Sequence, residues 1–199
     1  MRFITTEDIW AMDALNPVEW HFLCELPEVA SGAGMDPNRV KNRLFPSPIG
    51  TESGEEEALE PDTEQPLSDW HEFVQPEIET LFTDARKLVT QDLGTAEALP
   101  ARDFFDSEEL DEMSMENGDV PDYHRLMIPH DHTDSWYSVL NQARLLMNEE
   151  HEIADSWERF AAYMGIDEES EIRPDQAMVL AQYEMYSAIQ SILVEKLMK

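Results

Sequence analysis

The chain has 199 residues, with 44 Asp and Glu against 13 Lys and Arg, and one cysteine. A formal charge of -31 argues against direct phosphate-backbone binding, which needs clustered Lys and Arg, and against docking on anionic lipid. The lone cysteine excludes an intrachain disulfide framework, while 42% hydrophobic residues and five Trp suffice for a core in a chain of one-domain size.

Phe3 and Thr5, then Ile9, Ala11 and Asp13, alternate as a hairpin turning near Glu7 and Asp8. A helix from Thr6 competes, because Ile9, Met12 and Leu15 also fit helical spacing. Asn16 is placed to cap a helix, with Pro17 in its first turn and Glu19 three residues after the cap. Trp20, Leu23, Cys24 and Leu26 make that helix short and apolar, stopped at Pro27. Glycines and prolines break up residues 31–66, leaving one helical turn over Val40 to Phe45. Residues 46–66 read as a mobile acidic loop, with seven acids and no base between 52 and 64.

Ser68 is a cap for the next helix, which Pro76 either kinks or restarts. Val74, Ile78, Leu81, Ala85 and Leu88 form one stripe expected to be buried. Gly94 and Pro100 close the segment. Residues 103–122 hold nine acids and no base and read as a second acidic loop, so about half of the net charge falls on two segments. Tyr123 to Ile128 is a short strand ended by Pro129. Asp131 or Thr133 then caps a strong helix with Trp136, Leu140, Ala143 and Met147 on its buried face. Ile153, Trp157, Phe160 and Met164 continue the helical pattern after a break near Asn148, and Gly165 stops it. The last helix opens near Pro174 and buries Met178, Ala181, Met185, Ile189 and Ile192. The expected fold is mainly α. It is a single domain over 1–199 with about five helices, a small antiparallel β patch (the N-terminal hairpin plus the strand at 123–128) and two acidic loops.

Three stretches carry a family resemblance. They are Arg43-Leu44-Phe45-Pro46; the run from Ser135 to Leu145 containing Trp136, Leu140, Asn141, Arg144 and Leu145; and the tail containing Tyr186, Gln190 and Leu193. In this order they resemble an uncharacterised bacterial family, Domain of Unknown Function two-zero-one-seven, whose patterns look like R-L-F-P, W-x-x-x-L-N-x-x-R-L and Y-x-x-x-Q-x-x-L. The likeness covers nearly the whole chain. The acidic spacers and the segment 148–175 are longer than the family pattern. The resemblance implies a context rather than a chemistry: actinobacterial members are often encoded beside the ClpS adaptor of the Clp protease, some are loosely labelled transcriptional regulators, and no catalytic residues are established.

Candidate binding residues are Arg43, Phe45, Trp136, Asn141, Arg144 and Gln190. Arg144 can clamp a carboxylate with its bidentate fork; the structural alternative is an internal ion pair with one of the many acids. Arg43 next to Leu44 and Phe45 has a similar choice, and a loop pinned to the core is the simpler one. His130 and His132, with His124 nearby, are weak metal candidates, because no third ligand is fixed by spacing. His21 and Cys24 lie three apart, but Trp20, Phe22 and Leu23 suggest a buried and inert thiol. The acid clusters lack the glycine and spacing of an EF-hand. Phosphate-binding loops and a serine nucleophile elbow are absent.

No cofactor is implied. The leading expectation is a non-catalytic cytoplasmic interaction or regulatory module meeting another protein with a basic surface, linked to ClpS–Clp proteolysis by the resemblance alone. A metal-dependent hydrolase on His130 and His132 is the second reading, and an acidic mimic of nucleic acid the third. A signal peptide's apolar stretch is interrupted by acid after Ile4, and no apolar run reaches a membrane span. A homodimer is compatible with the Met- and Trp-rich helices.

Overall fold

The computed structural model describes residues 1–46, 68–117, 120–153 and 174–196. At its start, alternation wins over helical spacing. Strands β1 (Arg2–Thr5) and β2 (Ile9–Leu15) form the expected hairpin. Strand β3 (Glu97–Leu99) and strand β4 (Tyr123–Pro129) complete a four-stranded antiparallel sheet in the order β1-β2-β4-β3. The three-residue β3 was not anticipated; its pairing with β4 is the only sign of it, and that pairing is long-range.

The β2–β4 register shifts between Met12 and Leu15, and Ala14 adopts a left-handed backbone with φ 53°. One extra residue here keeps Met12 and Leu15 both fully buried on the helix-covered face. Ala14 instead joins Ala101, Phe104 and Tyr123 in a second, smaller cluster. The bulge thus lets one strand serve two cores.

Helix α1 (Pro17–Ser31) starts as the sequence demands. The Asn16 side chain accepts from the Val18 and Glu19 amides, and the Glu19 carboxylate accepts from the Asn16 amide. The helix does not stop at Pro27. An interior proline costs about 3 kcal/mol, but Leu26 just before it and Ala30 beyond it are fully buried, and Gly32 supplies a left-handed cap at φ 71°. Helix α2 (Pro37–Leu44) begins earlier than the single turn expected, because Asp36 caps Asn38 and Arg39.

A π-helical turn, Trp70–Val74, runs into helix α3 (Gln75–Leu93). Pro76 has no N–H to donate, and the wider turn just before it absorbs the misfit, with the Gln75 amide donating to the Trp70 carbonyl. The stripe read from spacing on α3 is buried only in part: Ala85 enters the core. Gln75, Ala85, Val89 and Asp92 are buried, whereas Val74 and Leu81 are exposed. Gln75 and Asp92 are polar residues buried through their hydrogen bonds, which apolar spacing does not mark.

Helix α4 (Ser107–Asn117) replaces most of the loop expected at 103–122. Asp106 accepts from the Glu108 and Glu109 amides, and Glu109 accepts from the Asp106 amide. This is the capping box seen at Asn16, and its acids are favoured at the positive end of the helix. Helix α5 (Thr133–His151) follows a 3-10 turn, His130–His132, with no side-chain cap from either Asp131 or Thr133. Its expected face, Trp136, Leu140, Ala143 and Met147, is buried throughout, and the helix runs past Asn148 without a break. Helix α6 (Pro174–Lys196) opens where expected and buries Ile189 of the expected stripe, but its other buried residues are Leu180, Gln182, Tyr186, Gln190 and Leu193. Met178 is exposed. Most of this helix's surface is apolar, so spacing alone does not choose the face. The expectations for residues 47–67 and for Trp157, Phe160, Met164 and Gly165 lie outside the described residues.

The fold is therefore mainly α, with six α-helices and a small antiparallel sheet among the described residues. Helix α5 is central, packed against α1, α2, α3 and α6. Among the described residues, no helix is long and apolar enough to cross a membrane.

Two glycines make the capping geometry testable. A Cβ on Gly32 would sit 2.5 Å from Val40 Cγ2, whereas one on Gly34, at φ +87°, meets nothing within 4 Å. Gly34→Ala should cost about 1–2 kcal/mol for the left-handed backbone alone. Gly32→Ala should cost a further 1–3 kcal/mol or so for overpacking. Equal losses in urea unfolding would show that the Val40 contact contributes nothing.

Candidate functional site

The polar residues singled out in two separate stretches of sequence meet between α5 and α6. Arg144 Nη1 donates to Gln190 Oε1. Its Nη2 lies 3.4 Å from the Tyr183 hydroxyl, and its guanidinium carbon lies 5.2 Å from the centre of the Tyr183 ring. Gln190 Nε2 donates to Asn141 Oδ1 at 3.5 Å. The spacing that produces this is helical on both sides. Tyr137, Asn141 and Arg144 rise along one face of α5, and Gln190, Ser191 and Val194 along the facing side of α6. Together with Glu195 they line an open cleft of about 340 Å³.

The internal ion pair expected for Arg144 is not what forms. Its partners are an amide and a phenol, and among the described residues no carboxylate lies within ion-pair distance of its guanidinium. Its Nε is shut off from solvent without a hydrogen-bond partner among the described residues. Arg86 of α3 makes a parallel arrangement on the other flank of α5. It donates to Gln142 at 2.5 Å and to Thr83 at 3.1 Å, and burial pulls its pKa down.

The other candidates lie apart from the cleft. Trp136 is fully buried, so it supports the site from within and offers no ligand surface. Its indole N–H donates to Asp92 at 2.8 Å. Phe45 packs its ring 5.4 Å from that of Phe82 on α3, and Leu44 beside it is buried. The R-L-F-P stretch thus pins the end of α2 to the core. Arg43 is half-buried there, with its Nε enclosed and without a hydrogen-bond partner among the described residues.

The three histidines have different partners. His130 Nε2 lies 3.0 Å from the Thr6 carbonyl; a carbonyl only accepts, so this nitrogen carries the hydrogen. His132 Nδ1 donates to the Asp92 carboxylate at 3.0 Å. His124 stacks on Trp20 with ring centres 4.6 Å apart. No group of three His, Cys, Asp or Glu that could hold a metal occurs among the described residues. Cys24 is exposed, against expectation, because α1 turns His21 and Cys24 outward while Phe22 and Leu23 enter the core. Partial desolvation and the Glu25 carboxylate push its thiol up. His21 pairs with Glu25 at 3.4 Å, so this is no activated thiol.

One cluster escaped the sequence reading. Buried Asp92, at the last turn of α3, accepts from both His132 and Trp136. No local signal marks it, because both partners are about forty residues away.

These motif residues belong to a recognisable whole. Residues 11–197 match the model of a domain of unknown function (DUF2017). The chain belongs to this family. Within the DUF2017 domain, Trp136, Leu140, Tyr186 and Leu193 are core, whereas Asn141, Arg144 and Gln190 form the cleft. No curated protein and no solved structure matches the chain.

Asp92→Ala should destabilise by about 2–4 kcal/mol, because two buried donors lose their acceptor. Combined with Trp136→Phe, the losses should fall short of additive by about 1–2 kcal/mol, since the indole N–H has then no partner to lose. Strict additivity in urea unfolding would separate the two residues. His124 gives a pH prediction. Burial pulls its pKa down, and the nearby Asp122 carboxylate only partly opposes this. The unfolded chain then binds the proton more readily, so stability is lost as pH falls through about 6.5 towards the lower native value. An NMR titration should place the imidazole below about 6.5, and His124→Asn should flatten that part of the stability profile.

Proposed function

We propose that this DUF2017 domain is a non-catalytic interaction module whose helix α3 meets another protein with a basic surface. The observation that carries this reading is the outer edge of α3 and its leading turn. Phe73 and Leu81 are 61% and 62% exposed, and Val74 is exposed beside them. Exposed Glu72, Glu77 and Asp84 are interleaved with them in sequence. Scattered exposed apolar residues need no explanation, but three large ones on one short stretch next to acids suit a partner that is both apolar and positively charged. The charge of -31 supports the same reading, since it steers a basic partner and opposes pairing with a second copy.

The resemblance makes components of the ClpS–Clp machinery the first to test, by analogy of context. Full-length protein used as bait in its host should recover a basic partner, and purified components should reproduce the complex. Phe73→Ser with Leu81→Asn should weaken it by at least about ten-fold, the size expected for two apolar anchors. Affinity should also fall between about 50 and 200 mM salt. A complex indifferent to both variants and salt, or a stable dimer of this chain in sedimentation, would defeat the reading.

A further inference from the structure

We propose that the cleft between α5 and α6 is a carboxylate-binding site with Arg144 as its anion-binding group. This stands apart from the α3 edge and does not rest on it. A guanidinium has five N–H donors. The described structure engages one with Gln190 and brings a second near the Tyr183 hydroxyl, at 3.4 Å. Each terminal nitrogen carries a further hydrogen, and no carboxylate among the described residues lies within ion-pair distance of the guanidinium, Glu195 on the same lining included. In a chain with 44 acids and 13 Lys and Arg, a half-buried arginine held by neutral partners is a charge left available to an incoming group.

The surroundings narrow the ligand class. Gln190 and the Tyr183 ring fix the guanidinium plane, which suits the flat, two-oxygen geometry of a carboxylate. Asn141 and Ser191 line the same cleft and offer neutral hydrogen bonds. Glu195 on the lining repels a dianion more than a monoanion, so a phosphate ester is disfavoured relative to a carboxylate. Tyr137 and Val194, the latter 47% exposed, supply apolar surface for the body of the ligand. A volume of about 340 Å³ falls at the small end of ligand sites. The ligand is therefore a monocarboxylate with an apolar or aromatic body, either a small organic acid or the C-terminal end of a polypeptide.

Proton–nitrogen correlation spectra of the full chain test this with phenylacetate, phenylacetamide, and the acetylated tripeptide Gly-Gly-Phe as acid and as amide. The carboxylates should shift amides of Tyr137 to Arg144 and Ser187 to Glu195 saturably. The amides should bind at least about ten-fold more weakly, as expected when a charge-assisted pair is lost. Arg144→Gln should abolish the shifts, and Arg144→Lys should leave a weaker response because it keeps charge without the fork. Tighter binding of the peptide acid than of phenylacetate identifies a chain end as the source, and equal binding identifies a small acid. Equal affinity for acid and amide, no saturable shift with either carboxylate, or binding untouched by Arg144→Gln would overturn the proposal. Should Arg144→Gln loosen the fold, the acid–amide comparison on the unaltered chain decides alone.

Discussion

Helix α5 has almost no free side, and the rest of the molecule is arranged around that fact. Four helices pack on it, and Trp136 at its start meets Trp10 of β2 edge-on, with ring centres 5.7 Å apart. A helix so enclosed must satisfy its polar groups with protein rather than water. Asp92 does this at the entrance. By accepting from His132 and Trp136 together, it fixes the end of α3 against the start of α5, and so sets where the following turns of α5 meet their neighbours. The sheet is tied in through the same corner, because His130 reaches the hairpin at Thr6.

Further along α5, the flanks are joined by arginine–glutamine pairs rather than ion pairs. Arg86 reaches Gln142 from α3, and Arg144 reaches Gln190 on α6. A buried carboxylate would add a second desolvation cost that a Coulombic gain does not reliably offset. A neutral amide orients the guanidinium without cancelling its charge. On the α3 side the arginine also lines an open cleft, of about 530 Å³, which it shares with Glu28 and Lys87. On the α6 side it borders an open cleft, and the same structural device becomes a place where an anion can enter. Arg39 shows the contrast: at the surface it pairs conventionally with Glu149, at 3.1 Å.

What could be read from sequence was whatever short-range chemistry encodes. The hairpin, the Asn16 capping box and the Trp136 face depend on neighbours two to four residues away, and each was legible. The Asp106–Glu109 capping box was equally legible in principle, but the density of acids around it concealed a helix as a loop. Pro27 misled for a different reason. The local rule was sound, and the burial of Leu26 and Ala30 by distant elements overrode it. Asp92, Gln142, Gln182 and Gln190 were beyond hydrophobic periodicity altogether, because polar residues count against burial until their partners are known. The co-location of Asn141, Arg144 and Gln190 was only hinted at by the motifs that contain them, and folding turned that hint into one network.

The part of the expected α3 stripe that stays exposed links these packing facts to the charge. Leu81 and Ala85 lie four residues apart on one helical stripe, yet Leu81 is exposed while Ala85 enters the core. An exposed apolar edge ordinarily invites self-association. Here Glu72, Glu77 and Asp84 accompany it, and two copies meeting edge to edge would bring like charges together in the low-dielectric space between them, where repulsion is strongest. A partner carrying Lys or Arg gains where a second copy loses. On the proposed reading, the acidity acts as a filter on an apolar surface: it leaves the contact area intact and restricts which molecules can profit from it.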